Sequence, residues 1–189
     1  MAASSLEIHR VTPERWDDLV ELFGPGGAYG GCWCMWNRET SREFEECKGE
    51  ENRRRLRQLV GDQDVPGLLA YRNGTPVGWV SVARREDYGR LQRSRVTKPV
   101  DDVPVWSITC FVIDRHHRGK GVGTALLKAA VDHARTQGAV AVEGYPVEPR
   151  ADRMPDIYAW MGLASMFSAV GFTEIARRSE TRPLMRMEL

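Results

Sequence analysis

The chain has 189 residues, of which 42% are hydrophobic and 28% charged, the balance of an ordinary globular protein with room for one core. Its 27 basic and 26 acidic residues leave a net charge of +1, which argues against a nucleic-acid binder that works through a broad basic surface. The opening MAASSLEIHR carries no apolar run of leader length, and no segment approaches the roughly 20 apolar residues of a membrane span. No membrane partner is therefore expected, and a cytoplasmic location is the default.

SLEIHRVT reads as a first strand. A short helix follows from Pro13 to about Phe23, with proline in the first turn and Thr12 placed to cap it. GPGGAYGG is a loop. TSREFEECKGEENRRRLRQLV reads as one charged helix with a thin apolar face of Phe44, Leu56, Leu59 and Val60. GLLAYRNGTPVGWVSVARRE is a hairpin turning on Asn-Gly. Residues 86–104 are polar with two prolines and read as a loop. VWSITCFVID is a buried strand. A helix runs from about Gly121 to His133, with Val122, Leu126, Ala129, Ala130 and Ala134 on one face. AVAVEGYPV is the next strand, ASMFSAV a short helix stopped by Gly171, and FTEIARR and PLMRMEL two final strands. The order is a mixed α/β layer architecture over a single domain, residues 1–189.

The chemistry-bearing motif is IDRHHRGKGVGTALL. The spacing of a P-loop is absent, since Lys120 precedes Gly121. The dinucleotide pattern Gly-x-Gly-x-x-Gly fails in both registers, at Thr124 and at Leu126, and no acidic residue ends the following strand. What fits is Arg118-x-x-Gly121-x-Gly123 between a strand and a helix. Glycines there let several backbone N–H groups face one pyrophosphate, the helix adds its positive end, and Arg118 and Lys120 supply countercharge.

This motif, with the element order and the late MFSAVGF, resembles the GNAT superfamily of acyl-CoA-dependent N-acetyltransferases, over most of the chain. The resemblance implies a mixed, mostly antiparallel sheet of about seven strands flanked by helices, with a splayed strand pair at the cofactor. It implies acetyl-CoA as the cofactor. The pyrophosphate would lie on Arg118, Gly119, Lys120, Gly121, Val122, Gly123 and Thr124, and the pantetheine arm along the backbone of Phe111, Val112 and Ile113. The thioester would then lie near Ser107–Cys110 and Glu143–Tyr145. Family members are often homodimers.

Two positions depart from the family pattern. Where histone-acetylating relatives have a glutamate base, this chain has Ser107. Where many relatives have a tyrosine acid, it has Phe167, which donates no proton. Glu143 and Tyr145 alternate onto one face of their strand and are the candidate base and acid, the competing reading being an arginine-paired Glu143 and a packing Tyr145. With Ser107 they form the catalytic set. Cys110 lacks an evident histidine partner and reads as a core thiol.

YGGCWCMWNRET supplies candidate acceptor-site residues Tyr29, Trp33, Met35 and Trp36, with Arg38 facing an acidic group; sheet-covering core is the alternative. Tyr158 and Trp160 are candidates for the other wall. Arg177, Arg178, Arg182 and Arg186 are read as facing the cofactor's 3′-phosphate or a substrate carboxylate, or as strand-edge charge. Cys32-x-Cys34 lacks zinc spacing, so no metal is expected, and the four cysteines are expected as thiols. The reading is direct acetyl transfer from acetyl-CoA to a primary amine of a small molecule. Acetylation of a protein or peptide amine, and a non-catalytic acyl-CoA sensor, are the alternatives.

Overall fold

The computed structural model describes residues 5–62, 65–150 and 155–189. Seven strands form one sheet in the order β1-β2-β3-β4-β5-β7-β6. They are β1 (Leu6–Arg10), β2 (Gly67–Arg72), β3 (Thr75–Arg84), β4 (Trp106–Ile113), β5 (Ala141–Gly144), β6 (Thr173–Arg177) and β7 (Pro183–Glu188). All neighbours run antiparallel except β4 and β5. A parallel pair needs a long crossover, which helix α5 supplies. The helices are α1 (Trp16–Phe23), α2 (Ser41–Cys47), α3 (Glu50–Gly61), α4 (Gly89–Arg93), α5 (Val122–Thr136) and α6 (Ala164–Val170).

Strand alternation gives the sheet two apolar faces. On one, Val80, Val82, Ile108 and Phe111 meet Leu126, Leu127 and Ala130 of α5. On the other, Leu69, Tyr71, Trp79 and Cys110 meet Trp16, Leu19 and Phe23 of α1 and Leu56 and Val60 of α3. The Asn-Gly hairpin forms as expected, with Asn73 at φ 52° and Gly74 at φ 77°, the pair of left-handed residues that a tight turn between twisted strands requires.

Three local expectations change. The charged helix is two helices, broken at Lys48–Gly49, and α2 starts on a capping box in which Thr40 and Glu43 bond reciprocally at 3.2 and 2.8 Å. Residues 86–104 are not uninterrupted loop: α4 is anchored by Tyr88 and Leu91, both buried, a spacing too short to register as a periodic pattern. Thr12 occupies the cap position but makes no side-chain cap bond.

Candidate active site

β4 and β5 pair for only three residues, Trp106–Val142, Ser107–Glu143 and Ile108–Gly144, and then part. The cause lies on the other edge of β4. Against β3, Ser81 pairs with Cys110 and Val82 with Ile108, so Thr109 is one residue too many. Such a bulge bends its strand away from a neighbour. The Phe111 N–H donates to the Trp160 carbonyl at 2.6 Å, and the Val147 N–H donates to the Gly162 carbonyl at 2.9 Å. The segment around Trp160–Gly162 thus spans the opening between the two strands.

Beyond β4, Asp114 accepts from the His116 N–H and holds His117 Nδ1, both at 2.9 Å, which forms a tight turn at 115–117. His117 holds the Asp114 carboxyl below the usual range. Residues 118–121 are exposed. Gly119 and Gly121 stand at φ 68° and 79°, and a Cβ on either would meet no atom within 4 Å. Their requirement is therefore conformational, and the space beside them is open. Gly121 is the N-cap of α5 and provides no side-chain cap, so the N–H groups of the first helical turn have neither an intrahelical nor a capping acceptor. That arrangement suits a phosphate.

Under the opening lies a buried polar cluster. The Tyr145 hydroxyl donates to Glu143 Oε2 at 3.1 Å and lies 3.1 Å from Ser107 Oγ. Glu143, fully buried, accepts two N–H groups of Arg186 on Oε1 at 3.1 and 2.7 Å, and one from Arg85 on Oε2 at 3.5 Å. Arg186 also grips Asp101 with two bonds of 2.8 Å, and Arg85 donates to the carbonyls of Asp101 and Val103. Burial and the Glu143 charge push the Tyr145 phenol far above its usual range, while Arg186 holds Asp101 below the carboxylate range. Since Tyr145 spends its single proton on Glu143, Ser107 must donate to Tyr145, and the row ends in lone pairs on Ser107.

A cleft of about 420 Å³ opens beside this region. Trp36, Asn37, Glu39, Thr40 and Ser41 form one side, Arg90, Arg93, Ser94 and Thr97 another, and Trp160 and Met161 a third. Its inner end touches the bulge: Asn37 Nδ2 donates to the Thr109 carbonyl at 3.4 Å, and Trp160 holds the Phe111 N–H.

The model of the acetyltransferase (GNAT) family matches residues 33–154. The chain belongs to this family. Solved structures agree on the fold. The PaiA N-acetyltransferase from Thermoplasma acidophilum, solved in complex with coenzyme A, is 14% identical over 98% of this chain and 99% of that one, with a TM-score of 0.56. A GNAT-family acetyltransferase from Listeria monocytogenes is 10% identical over 99% and 98%, with a TM-score of 0.59. The ribosomal-protein-S5-alanine acetyltransferase from Vibrio fischeri is 14% identical over 100% and 95%, with a TM-score of 0.58. No curated protein matches the chain.

As a GNAT member, the protein is an acyl-CoA-dependent N-acetyltransferase, and its cofactor is acetyl-CoA. The open glycine loop and uncapped α5 fit the pyrophosphate of that cofactor. Ser107, Glu143 and Tyr145 do come together, but Glu143 is held by two arginines and does not stand open as a base. Phe167 is fully buried, its ring filling the space over Gly144 and meeting Phe172 edge-on at 4.9 Å.

Among the candidate acceptor residues, Trp36 and Trp160 line the cleft. Trp33 and Met35 do not; they are core, with Trp33 stacked on Trp16 and 5.5 Å from Phe23. Trp33 also borders a separate hollow of about 430 Å³ that contains no residue of β4. Tyr29 and Tyr158 are exposed and lie outside the lining of the cleft. Among the described residues Arg38 forms no ion pair with an acid; it lies 4.6 Å over the Tyr88 ring. Arg186 is consumed by the buried cluster, Arg177 by Glu148 and Glu174, and Arg178 by the carbonyls of Lys98 and Pro99. Arg182 reaches the Tyr158 carbonyl.

All four cysteines are free. Cys34 pairs with Cys110 across 76 residues, sulfur to sulfur at 3.3 Å, and accepts from Trp79 Nε1 at 3.1 Å. That shared bond and burial raise the Cys34 thiol well above its usual range, and burial lifts Cys32 to about 11. Neither is suited to forming a thiolate. Sequence reasoning missed Asn37, Arg90, Arg93 and Asp101. Each lies in a loop or a one-turn helix, where no period marks a buried or convergent side chain.

Proposed function

We propose that the protein transfers an acetyl group from acetyl-CoA to a primary amine of a small molecule, by direct attack in a ternary complex. The observation that carries this reading is the cleft, which reaches the β4 bulge through Asn37 and Trp160. Its volume of about 420 Å³ falls in the range of small-molecule sites.

In this reading residues 118–124 bind the pyrophosphate through backbone N–H groups, with Arg118 and Lys120 as countercharge. The backbone of Phe111, Val112 and Ile113 lies along the pantetheine arm, and the Phe111 N–H exchanges the Trp160 carbonyl for the donor. Acetyl-CoA supplies an acyl group on a good leaving group, a thiolate. An ammonium has no lone pair, so the amine must lose a proton. We assign its acceptance to the row that starts at Ser107 Oγ and runs through Tyr145 to Glu143. Ser107 takes the amine proton as it passes its own to Tyr145, and Tyr145 passes its proton to Glu143 Oε2, where it comes to rest; Glu143 thus acts from its buried position through the two hydroxyls. Phe167 contributes packing only, and the thiolate takes its proton from solvent.

Thiol release from acetyl-CoA across an amine panel, followed by mass spectrometry of the product, tests the reading. Turnover of small amines with an N-acetyl product is expected. Binding of acetyl-CoA without turnover of any amine would instead establish a sensor. With an acceptor identified, Tyr145→Phe cuts the row and should lower kcat by about 10²-fold with little change in KM. The remaining rate should rise with pH as the free amine becomes available. Full activity in that variant would remove the row from the chemistry.

A further inference from the structure

The polar lining of the cleft is unbalanced in charge. Its acid, Glu39, is almost wholly buried and turned to Arg55 at 2.7 Å, so its charge is answered from outside the cleft. Its two arginines feel carboxylates only at a distance, Arg90 from Glu39 and Arg93 from Glu43. Arg90 donates through Nε to the Trp36 carbonyl at 2.6 Å and through Nη1 to Ser41 Oγ at 2.9 Å, and its guanidinium lies 3.8 Å over the Trp36 ring. Its Nη2 is buried and makes no hydrogen bond. Among the described residues, no carboxylate forms an ion pair with Arg90 or Arg93. The two sit one turn apart on α4, a spacing that puts them on one helix face.

A guanidinium fixed by a carbonyl, a hydroxyl and an indole face is pre-organised, and a buried N–H left over is costly unless something accepts from it. The acceptor that suits a fork of two arginines is an anionic group with planar or tetrahedral oxygens. Ser41 and Ser94 lie in the same lining and offer neutral hydroxyls. At the other end, Asn37 and Trp160 meet β4 on either side of Cys110, where the reacting amine must arrive.

We infer that Arg90 and Arg93 select an acceptor that carries an anionic group, carboxylate or phosphate, in addition to its primary amine. This rests on the small-molecule reading above and names the substrate class within it. The acceptor is then bipolar: the anion is held at α4, the amine is delivered to the bulge, and the intervening carbons lie between Trp36 and Trp160. A neutral amine of the same carbon skeleton leaves Arg90 Nη2 unpaired and binds poorly.

The test uses matched pairs with the full chain and acetyl-CoA: an amino acid against its decarboxylated amine, and an aminoalkyl phosphate against the corresponding amino alcohol. Thiol release gives kcat/KM for each member. For at least one pair the anionic member should be preferred by roughly 10–100-fold, the worth of one or two charge-assisted hydrogen bonds, expressed mainly in KM. Arg93→Gln should cut that preference about tenfold, and Arg93→Lys should restore part of it. Arg90→Lys, which keeps the charge but not the fork, should also reduce it. Arg95→Gln, exposed and outside the cleft, is the control for general surface charge. Thermal melts of each variant separate lost folding from lost selection. Which pair shows the preference distinguishes carboxylate from phosphate. Equal or better turnover of the neutral members, or a preference that survives both arginine substitutions, overturns the inference while leaving the acetyltransferase reading intact. No turnover of any small amine, with acetyl-CoA still bound, overturns both.

Discussion

The glycine loop and the acceptor-side cleft both adjoin β4, yet they are made of different material. The loop is one contiguous run from Arg118 to Thr124, exposed over residues 118–121, and what it offers a ligand is backbone N–H groups. The cleft draws on three segments, and its polar groups are side chains. Under the proposed function the difference follows from what each would bind. A pyrophosphate is constant, and backbone N–H groups recognise it without reference to neighbours. An acceptor is particular to one enzyme, and only side chains carry that particularity. The polar cluster below belongs to the second kind: Asp101, Arg186, Glu143 and Arg85 come from a loop, two strands and the turn after β3.

The contrast can be broken at its strongest point first. Gly121→Glu places a charged side chain at φ 79° in front of the uncapped helix, and acetyl-CoA binding by calorimetry should fall more than about 100-fold. Unchanged binding would remove the loop from the cofactor site. Next, Glu143→Gln leaves two buried guanidinium groups undercompensated. It should cost about 3–5 kcal/mol of stability in a urea titration and leave acetyl-CoA affinity of the folded fraction within a few-fold. A parallel loss of cofactor affinity would show that the two regions are one unit.

A third test concerns pH. Burial, with Arg10 nearby, lowers His133 from 6.5 to about 4, and neither ring nitrogen finds a partner. The folded state therefore resists a proton that the unfolded chain accepts. Stability is intact above pH 6.5 and declines as pH falls toward 4, by ~2–3 kcal/mol if the whole window is crossed. His133→Phe should flatten that part of the profile, without altering the pH dependence of acetyl transfer above pH 6.5. The smallest effect sharpens the contrast: Lys120→Gln removes an exposed charge from the loop but no backbone donor. Acetyl-CoA affinity should drop only about 2- to 5-fold and recover little at low salt. A loss as large as that from Gly121→Glu would mean that side-chain charge, not backbone, holds the pyrophosphate.

What could be read in advance divides along the same line. The glycine loop stood out because its residues are adjacent and its chemistry needs that adjacency. The hairpin was legible from Asn73-Gly74, and α6 from ASMFSAV and the Gly171 stop. Glu143 and Tyr145 were recognisable as neighbours on one face, because alternation along a strand is local. Their partners were not: Arg186 and Asp101 are 85 residues apart, and no local period joins them. Trp33 and Met35 looked like pocket wall because aromatic and sulfur side chains serve core and pocket equally well, and only the packing of α1 and α3 on the sheet decides between the two.

By itself, then, the order of residues determined the sheet's strands, the crossover helix and the glycine loop, since periodicity and turn chemistry act over a few residues. Tertiary structure alone decided where β4 parts from β5, which arginines are spent on Glu143 and which stand on α4 without an ion pair among the described residues. Those outcomes depend on a one-residue mismatch in strand pairing and on charges brought together from distant segments, and neither is visible until the chain is folded.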